Sequence, residues 1–294
     1  MQLDHYYSKE QIIRDGCFER TMFPKSSFPS SICYAEDERS IRTINVNPCI
    51  TTVITTLKWV SEIDSCKGIL VSTSPPFDYY NLHNVLVENG AMALIDSPYV
   101  SEEAIIAPSA YIGKNVIISE GVEISHGAYI ADNTVIGPNT YIGPYAVIGT
   151  RGLQNIKVQG IPFKVLFAGG VKIGQNCEIL AHSIIQKPYQ AFFTVIGDHT
   201  KISVRTSIGH GSNIGSNSMI AGNVTIAGNV MTGDNLWVGP ASVISDGVKI
   251  GCNVKIILGS VVVSNIPDRQ TFSGNFAMEH SKNLKNFSKS KRLK

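Results

Sequence analysis

The dominant feature of this sequence is an aliphatic residue at every sixth position. From residue 196 to residue 262, every such position except Thr232 holds Ile or Val, and the residue that follows is usually Gly or Ala. An α-helix would drift about a third of a turn over six residues, so this period cannot keep one helical face apolar. The period is instead typical of short strands in a β-helical solenoid, with each aliphatic side chain pointing inward.

The same period extends upstream, with two interruptions. Eight uninterrupted hexads carry Ile at every sixth position from 106 to 148, and three more follow at 173, 179 and 185. The phase is lost between Ile148 and Ile173 and again between Ile185 and Ile196. We expect loops near 150–170 and 186–195, and loops on a rigid solenoid often form the walls of a binding site.

The first hundred residues lack the hexad and predict a separate, small α/β domain. Residues 50–56 and 68–72 have the β-branched or apolar character of strands, and residues 78–88 carry apolar side chains at helical spacing. We therefore divide the chain into an α/β domain at 1–101, the repeats at 102–267 and a basic tail at 268–294. The tail carries six Lys or Arg after Ala277 and predicts a short helix that caps the last coil.

Composition argues against several classes of protein. A net charge of +2, from 25 basic and 23 acidic side chains, argues against a dedicated nucleic-acid binder. The six cysteines are scattered without a CxxC pair, which predicts reduced thiols in a cytoplasmic protein and no metal site. No apolar run has the length of a membrane span, and the polar first ten residues do not resemble a signal peptide.

The repeats contain four histidines, and their surroundings distinguish one of them. They are His126, His182, His199 and His210. A histidine in a turn is usually a solvated surface residue. His210, however, lies in the hexad Ile208-Gly-His-Gly-Ser-Asn, and segment 201–228 resembles the active-site segment of the hexapeptide-repeat acyltransferases that N-acylate UDP-3-O-acyl-glucosamine in lipid A synthesis.

The resemblance covers most of the chain and implies the fold. It includes Val147-Ile-Gly-Thr-Arg-Gly, Gly169-Gly-Val-Lys-Ile-Gly, Ser273-Gly-Asn-Phe-Ala-Met-Glu-His and, in the first domain, Ser31-Ile-Cys-Tyr-Ala-Glu-Asp. Members of that family fold as a left-handed parallel β-helix with three hexads per coil. The resemblance therefore implies a mainly β protein, with the α/β domain in front and the basic tail behind.

The resemblance also implies a catalytic pair. The family's general base falls on His210. With three hexads per coil, Gly228 stacks on His210, about 4.8 Å away along the solenoid axis. Gly228 matches the position whose backbone N–H stabilises the oxyanion in the family. The chain has Ser203-Val204 where the family usually has Asp-Asn before the histidine, and Gly247, beside Asp246, where it has a second histidine.

The resemblance implies a nucleotide-linked acceptor bound by the first domain. The Asn and Tyr that the family uses for uracil fall on Asp37 and Ser40, so the stacking ring is lost. We predict that Tyr34, Asp37, Ser40 and His182 bind the acceptor. Because of these departures, a dTDP-linked amino-deoxy sugar used in surface glycans is the preferred acceptor. The UDP-3-O-acyl-glucosamine of lipid A synthesis, with an acyl-carrier protein as donor, is the alternative.

The resemblance implies acyl-coenzyme A as a cosubstrate, with no permanently bound cofactor. In this fold the donor lies between subunits of a homotrimer, so we expect a homotrimer in which Gly239, Lys249 and Lys255 contact coenzyme A. The basic tail is a further candidate for its phosphates or for a carrier protein. An alternative from another functional class is that the protein is a hexapeptide-repeat protein without catalytic activity, which only binds a ligand or acts as a scaffold.

Overall fold

The protein consists of a small α/β domain followed by a three-faced parallel β-helix. The structure, a computed structural model, describes residues 1–154, 156–274, 280–282 and 285. Ile and Val of the hexads point inward and form one continuous core, in which Ile130, Ile208 and Ile244 have no exposed surface. The capping helix that we predict after Ala277 falls largely on residues outside those described.

The first domain is built on one five-stranded sheet. Strands β3, β4 and β5 are parallel in its centre, β2 is parallel to β3 at one edge and β1 is antiparallel to β5 at the other. Two α-helices and two short 3-10 helices accompany the sheet. The bounds are β1 Ile12–Arg14, β2 Arg20–Thr21, β3 Ser31–Ala35, β4 Ile50–Thr55, β5 Gly68–Val71, α1 Glu38–Asn45, α2 Pro75–Glu88, and the 3-10 helices Leu3–His5 and Leu57–Glu62.

The β-helix has three faces, numbered here in chain order. The first face contains Tyr99–Val100, Ile117–Ile118, Thr134–Ile136, Gly170–Ile173, Phe193–Ile196, Asn213–Ile214, Met231–Thr232 and Lys249–Ile250. The second contains Ile105–Ile106, Glu123–Ile124, Tyr141–Ile142, Glu178–Ile179, Lys201–Ile202, Met219–Ile220, Trp237–Val238, Lys255–Ile256 and Thr271–Phe272. The third contains Tyr111–Ile112, Tyr129–Ile130, Val147–Arg151, Ile184–Lys187, Ser207–Ile208, Thr225–Ile226, Val243–Ile244 and Val261–Val262.

Successive coils pair in register, which places equivalent hexad residues directly above one another. Ile208 pairs with Ile226, and Ile226 pairs with Ile244. Buried hydroxyls at the corners are satisfied by the next coil: Thr206 Oγ1 donates to Ala221 O at 2.8 Å. Because buried polar groups need such partners, these bonds help to fix the register.

Both insertions pack beneath the first domain. The first contains a short hairpin, Lys157–Val158 and Ile161–Pro162, and its Val165 is buried in the same cluster as Leu82 of α2. In the second, Gln190 Nε2 donates to the hydroxyl of Tyr79 at 3.1 Å. The loops expected from the broken phase therefore tie the first domain to the β-helix.

His83 of α2 is a buried link between the first domain and the first insertion. Its Nε2 lies 2.9 Å from Leu166 O, which can only accept, so Nε2 carries the proton and Nδ1 accepts from Thr21 Oγ1 at 2.6 Å. The side chain has no exposed surface. Burial lowers the pKa of His83 to about 4, so the folded protein keeps this ring neutral.

We expect His83 to make folding stability depend on pH. The unfolded ring takes up a proton near pH 6.5, whereas the folded ring does so only near pH 4, so stability is lost as the pH falls between these values. The loss between pH 7 and pH 5 should be about 2 kcal/mol. Urea unfolding of the wild type and His83→Gln at both pH values measures it. The variant should lose less stability on acidification, and an equal loss in both proteins would contradict this assignment.

Candidate active site at the His210 corner

His210 lies at the corner where the third face turns into the first. It follows the strand Ser207–Ile208, and its carbonyl oxygen accepts from the N–H of Asn229, one coil further on, at 2.8 Å. The imidazole is half-buried. Partial burial in a rigid turn restricts the ring while leaving part of it accessible to a substrate.

Gly228 and Asp246 occupy the same corner in the next two coils. The in-register pairs Ile208–Ile226 and Ile226–Ile244 stack the residues that come two positions after each isoleucine. A Cβ added to Gly228 would lie 2.6 Å from His210 Cε1 and 2.8 Å from Asp246 Oδ1. Glycine is thus the residue that lets the imidazole and the carboxylate approach this backbone.

The protonation state of His210 suits a base. Burial lowers the pKa of His210 below its usual value, and the negative charge of Asp246 acts in the opposite direction. The ring is therefore neutral at neutral pH and able to accept a proton. The negative charge of Asp246 favours the protonated form of His210, so it would stabilise an imidazolium at this corner.

Asp246 is the residue of this corner to which the sequence analysis gave no role. Its Oδ1 accepts from Asn229 Nδ2 at 3.2 Å, which restrains the carboxylate beside the glycine. Asp246 lies one further coil beyond Gly228, so the hexad count, with the three hexads per coil implied by the resemblance, contained this signal. The Ser203-Val204 pair, by contrast, lies at the corner after the second face and not at this one.

The backbone N–H of Gly228 is available as a donor. At four comparable corners an Asp in the next coil accepts such an N–H, as Asp234 Oδ1 does from Ser216 N at 2.8 Å; the other three are Asp132, Asp198 and Asp268. At the His210 corner Asp246 bonds to Asn229 instead, and within the described ranges the Gly228 N–H has no acceptor. A fixed, unused donor of this kind can stabilise a developing oxyanion.

The start of the first insertion reaches the imidazole. A Cβ on Gly152 would lie 3.2 Å from His210 Cδ2 and 2.6 Å from Gln186 Oε1. Gln186 lies where the second insertion leaves the coil. Both interruptions of the hexad therefore begin beside His210, as expected for walls of a site.

The first domain and Asn229, the residue after Gly228, line a cavity of about 670 Å³. Its lining combines residues from α1 and its N-cap, a loop of the first domain and one β-helix residue: Phe23, Pro24, Lys25, Asp37, Arg39, Ser40, Thr43 and Asn229. Lys25 and Arg39 give it two positive charges and Asp37 gives it one negative charge. Asn229 connects the cavity to the corner, since it follows Gly228 and bonds to Asp246.

The structure brings only some of the predicted acceptor residues to this cavity. Asp37 and Ser40 line it, but they also bond to each other: Asp37 caps α1 by accepting from Ser40 N at 2.9 Å and from Ser40 Oγ at 2.8 Å. Tyr34 instead packs against Tyr79, with ring centroids 5.2 Å apart, and is not part of the lining. His182 lies at a different corner, stacked on Tyr145 at 5.4 Å.

The residues expected to contact the donor lie on two faces. Lys249 belongs to a first-face strand, whereas Lys255 and the corner residue Gly239 belong to the second face. The chain places Gly239 and Lys255 on neighbouring coils of one face and Lys249 on another face.

Among the described residues, no group of three or more His, Cys, Asp or Glu is placed to hold a metal ion. No helix in the described ranges is long and apolar enough to cross a membrane.

Comparisons with known proteins identify the fold. The family model described as "Bacterial transferase hexapeptide (six repeats)" matches residues 120–150. UDP-N-acetylglucosamine acyltransferase from Francisella novicida is 26% identical, with a TM-score of 0.50, over 65% of this chain and 72% of that one. UDP-N-acetylglucosamine O-acyltransferase from Moraxella catarrhalis is 22% identical, with a TM-score of 0.53, over 66% and 76%. A search of curated proteins found no match.

These similarities confirm the fold expected from the sequence, a left-handed parallel β-helix of hexapeptide repeats. They also support an enzyme of the acyltransferase type.

Proposed function

We propose that this protein transfers an acyl group from acyl-coenzyme A to the amino group of a nucleotide-linked amino-deoxy sugar for surface glycan synthesis. The observation that carries the proposal is the corner at which His210, Gly228 and Asp246 meet, beside a cavity that the first domain also lines. A base and a backbone donor at one point are what acyl transfer requires.

The proposed reaction uses each of these groups once. The sugar amine attacks the thioester carbonyl while His210 takes its proton, so a C–N bond forms and the carbonyl oxygen becomes an oxyanion. The Gly228 N–H donates to that oxyanion, and Asp246 stabilises the imidazolium. When the C–S bond breaks, the leaving thiolate takes the proton back from His210, and the free base is restored.

The shared cavity supports a nucleotide on the acceptor. Lys25 and Arg39 offer positive charge to a diphosphate, and Thr43 offers a hydroxyl, on the side of the cavity formed by the first domain. Asn229 places the opposite side next to Gly228. A nucleotide held by the first domain would thus extend its sugar toward His210.

The identities of the sugar and the donor are the finer part of the proposal. The departures at Asp37 and Ser40 favour a dTDP-linked acceptor. The named activity of the two solved relatives concerns UDP-N-acetylglucosamine, and one of them is named as an O-acyltransferase, so a UDP sugar and a hydroxyl nucleophile are the main competitors. Synthesis of lipid A with an acyl-carrier protein belongs to the same competing group.

We further propose that the enzyme works as a cytoplasmic homotrimer. The third face leaves outward-pointing apolar side chains exposed, among them Val243 at 41% and Val261 at 69%. Burial of this surface between subunits would stabilise an assembly. It would also allow Lys249 of one chain and Lys255 of another to approach the same donor.

A thiol-release screen on protein of measured mass tests these proposals. It crosses acetyl-, 3-hydroxyacyl- and long-chain acyl-coenzyme A, together with acyl-carrier protein, against dTDP- and UDP-linked amino sugars and UDP-N-acetylglucosamine. We expect turnover with acyl-coenzyme A and a dTDP-amino sugar, carried by a trimeric fraction. Turnover only with a UDP sugar would transfer the assignment to the competing group, and an active monomer would refute the trimer. No turnover and no binding of coenzyme A would favour a scaffold without catalytic activity.

A further inference from the structure

Lys187 is a buried cation without a partner. It ends the third-face strand Ile184–Lys187, and its side chain is 8% exposed. Within the part of the chain that the structure describes, its amine makes no hydrogen bond and no carboxylate lies within 4 Å of it. Burying an unpaired charge is costly, so such a lysine calls for a ligand or a functional reason.

Lys187 lies beside one carboxylate and a second cation. Burial lowers the pKa of Lys187, the negative charge of Asp132 acts in the opposite direction, and the positive charge of Arg151 lowers the pKa further. Arg151, which pairs with Lys187 along the strands, is exposed and forms no ion pair in the described ranges. Asp132 keeps its charge while its Oδ1 accepts from Lys114 N at 2.7 Å, so it offsets one of the two cations. One positive charge remains, and an anion bound between Lys187 and Arg151 would neutralise it.

Two cavities meet at Lys187 and Asp132 and give such an anion room. The smaller, about 210 Å³, also contains Asn133, whose buried Oδ1 lacks a hydrogen-bond donor. The larger, about 610 Å³, contains Thr150 and Arg151. It also contains the rings of Tyr111 and Tyr129, which are stacked with their centroids 4.6 Å apart.

These groups match the chemistry of a phosphate ester attached to a ring system. Lys and Arg are the usual partners of phosphate, Arg through its planar fork and Lys as a point charge. An exposed tyrosine face beside them can stack on a nucleobase. Asn133 Oδ1 can accept from a hydroxyl or an amide N–H of the same molecule.

The cavities lie one coil away from His210. Ile185 pairs with Ile208, and Lys187 and His210 each follow two positions later. The nucleotide cavity at Lys25 and Arg39 adjoins the opposite side of the corner, through Asn229. Two sites for charged groups therefore flank the same histidine.

We propose that Lys187 and Arg151 bind a phosphate group of one of the two substrates. That this phosphate belongs to a substrate rests on the function proposed above. The binding of a phosphate by Lys187 and Arg151 does not depend on that function. Coenzyme A and the sugar nucleotide share this chemistry, so either could supply the phosphate, and the experiment separates them.

Calorimetric titration without turnover tests the proposal. The probes are coenzyme A, 3′-dephospho-coenzyme A, UDP, dTDP and inorganic pyrophosphate, and the variants are Lys187→Gln and Arg151→Gln. Lys172→Gln is the matched control, because Lys172 is an exposed lysine on the first-face strand of the same coil. We expect at least about tenfold weaker binding of one probe class in both variants and no change in the control. If the variants bind coenzyme A more weakly but bind 3′-dephospho-coenzyme A as tightly as the wild type does, the 3′-phosphate is the group that Lys187 and Arg151 bind.

Thermal unfolding separates this role from a structural one. Removal of an unpaired buried charge should leave the Tm of Lys187→Gln equal to or above that of the wild type. A lower Tm, with unchanged binding in Arg151→Gln, would indicate a structural lysine and overturn the proposal. The proposal would also be overturned if the wild type and the variants bound every probe equally well, or if the wild type bound none of the probes. If the probes bind as expected but no acyl transfer is found, only the proposed function fails.

Discussion

Replacement of His210 by asparagine is expected to lower kcat/KM for acyl transfer roughly 10²–10⁴-fold while the β-helix stays folded. The expected range is the usual contribution of a positioned general base. Positive φ at this corner falls on Gly211 and not on His210, so asparagine at position 210 needs no left-handed backbone conformation. The measurement is steady-state thiol release, with circular dichroism and sedimentation to establish the fold and the mass.

The other histidines of the repeats provide the controls. His126→Ala and His199→Ala should be nearly neutral, because neither lies at the corner shared by Gly228 and Asp246. The wild-type pH profile gives a second check. Because burial lowers the pKa of His210, activity should persist below the usual histidine pKa near 6.5 and fall as the pH drops through the lowered value. Near-normal turnover of His210→Asn would show that another group takes the proton.

Replacement of Gly228 by alanine is expected to be nearly as damaging, roughly a 10²-fold loss of kcat/KM. The added Cβ would lie 2.6 Å from His210 Cε1 and 2.8 Å from Asp246 Oδ1. Both obstacles are the ends of side chains, so we expect the coil to fold and the imidazole and the carboxylate to move apart. Displacement of a catalytic group by about 1 Å costs rate rather than stability.

Gly222→Ala is the matched control for this change. Gly222 holds the same hexad position at the preceding corner, where an added Cβ would meet nothing closer than Val204 O at 3.2 Å. The two variants should have similar Tm values, while only Gly228→Ala loses activity. A large fall in the Tm of Gly228→Ala, or full activity of both variants, would argue against a catalytic role for the space at Gly228.

The sequence by itself determined the β-helix and the line of residues along the His210 corner. A six-residue period fits strands of a solenoid, and the three hexads per coil that the family resemblance implies place position 228 on position 210. In-register pairing of Ile208 with Ile226 confirms that stacking. The same count extends to Asp246. The period is this informative because each coil contacts mainly its neighbours, so spacing along the chain becomes distance in space.

Only the tertiary structure decided what lies beside that line. The six-residue period ends at each insertion and does not reach the first domain, so spacing could not show that Asp37 and Ser40 face Asn229, or that Tyr34 packs into its own domain. It could not show that Lys187 is buried beside Arg151 and Asp132. Burial and charge pairing depend on which distant segments cover a side chain, and that is fixed only when the insertions and the first domain pack on the β-helix.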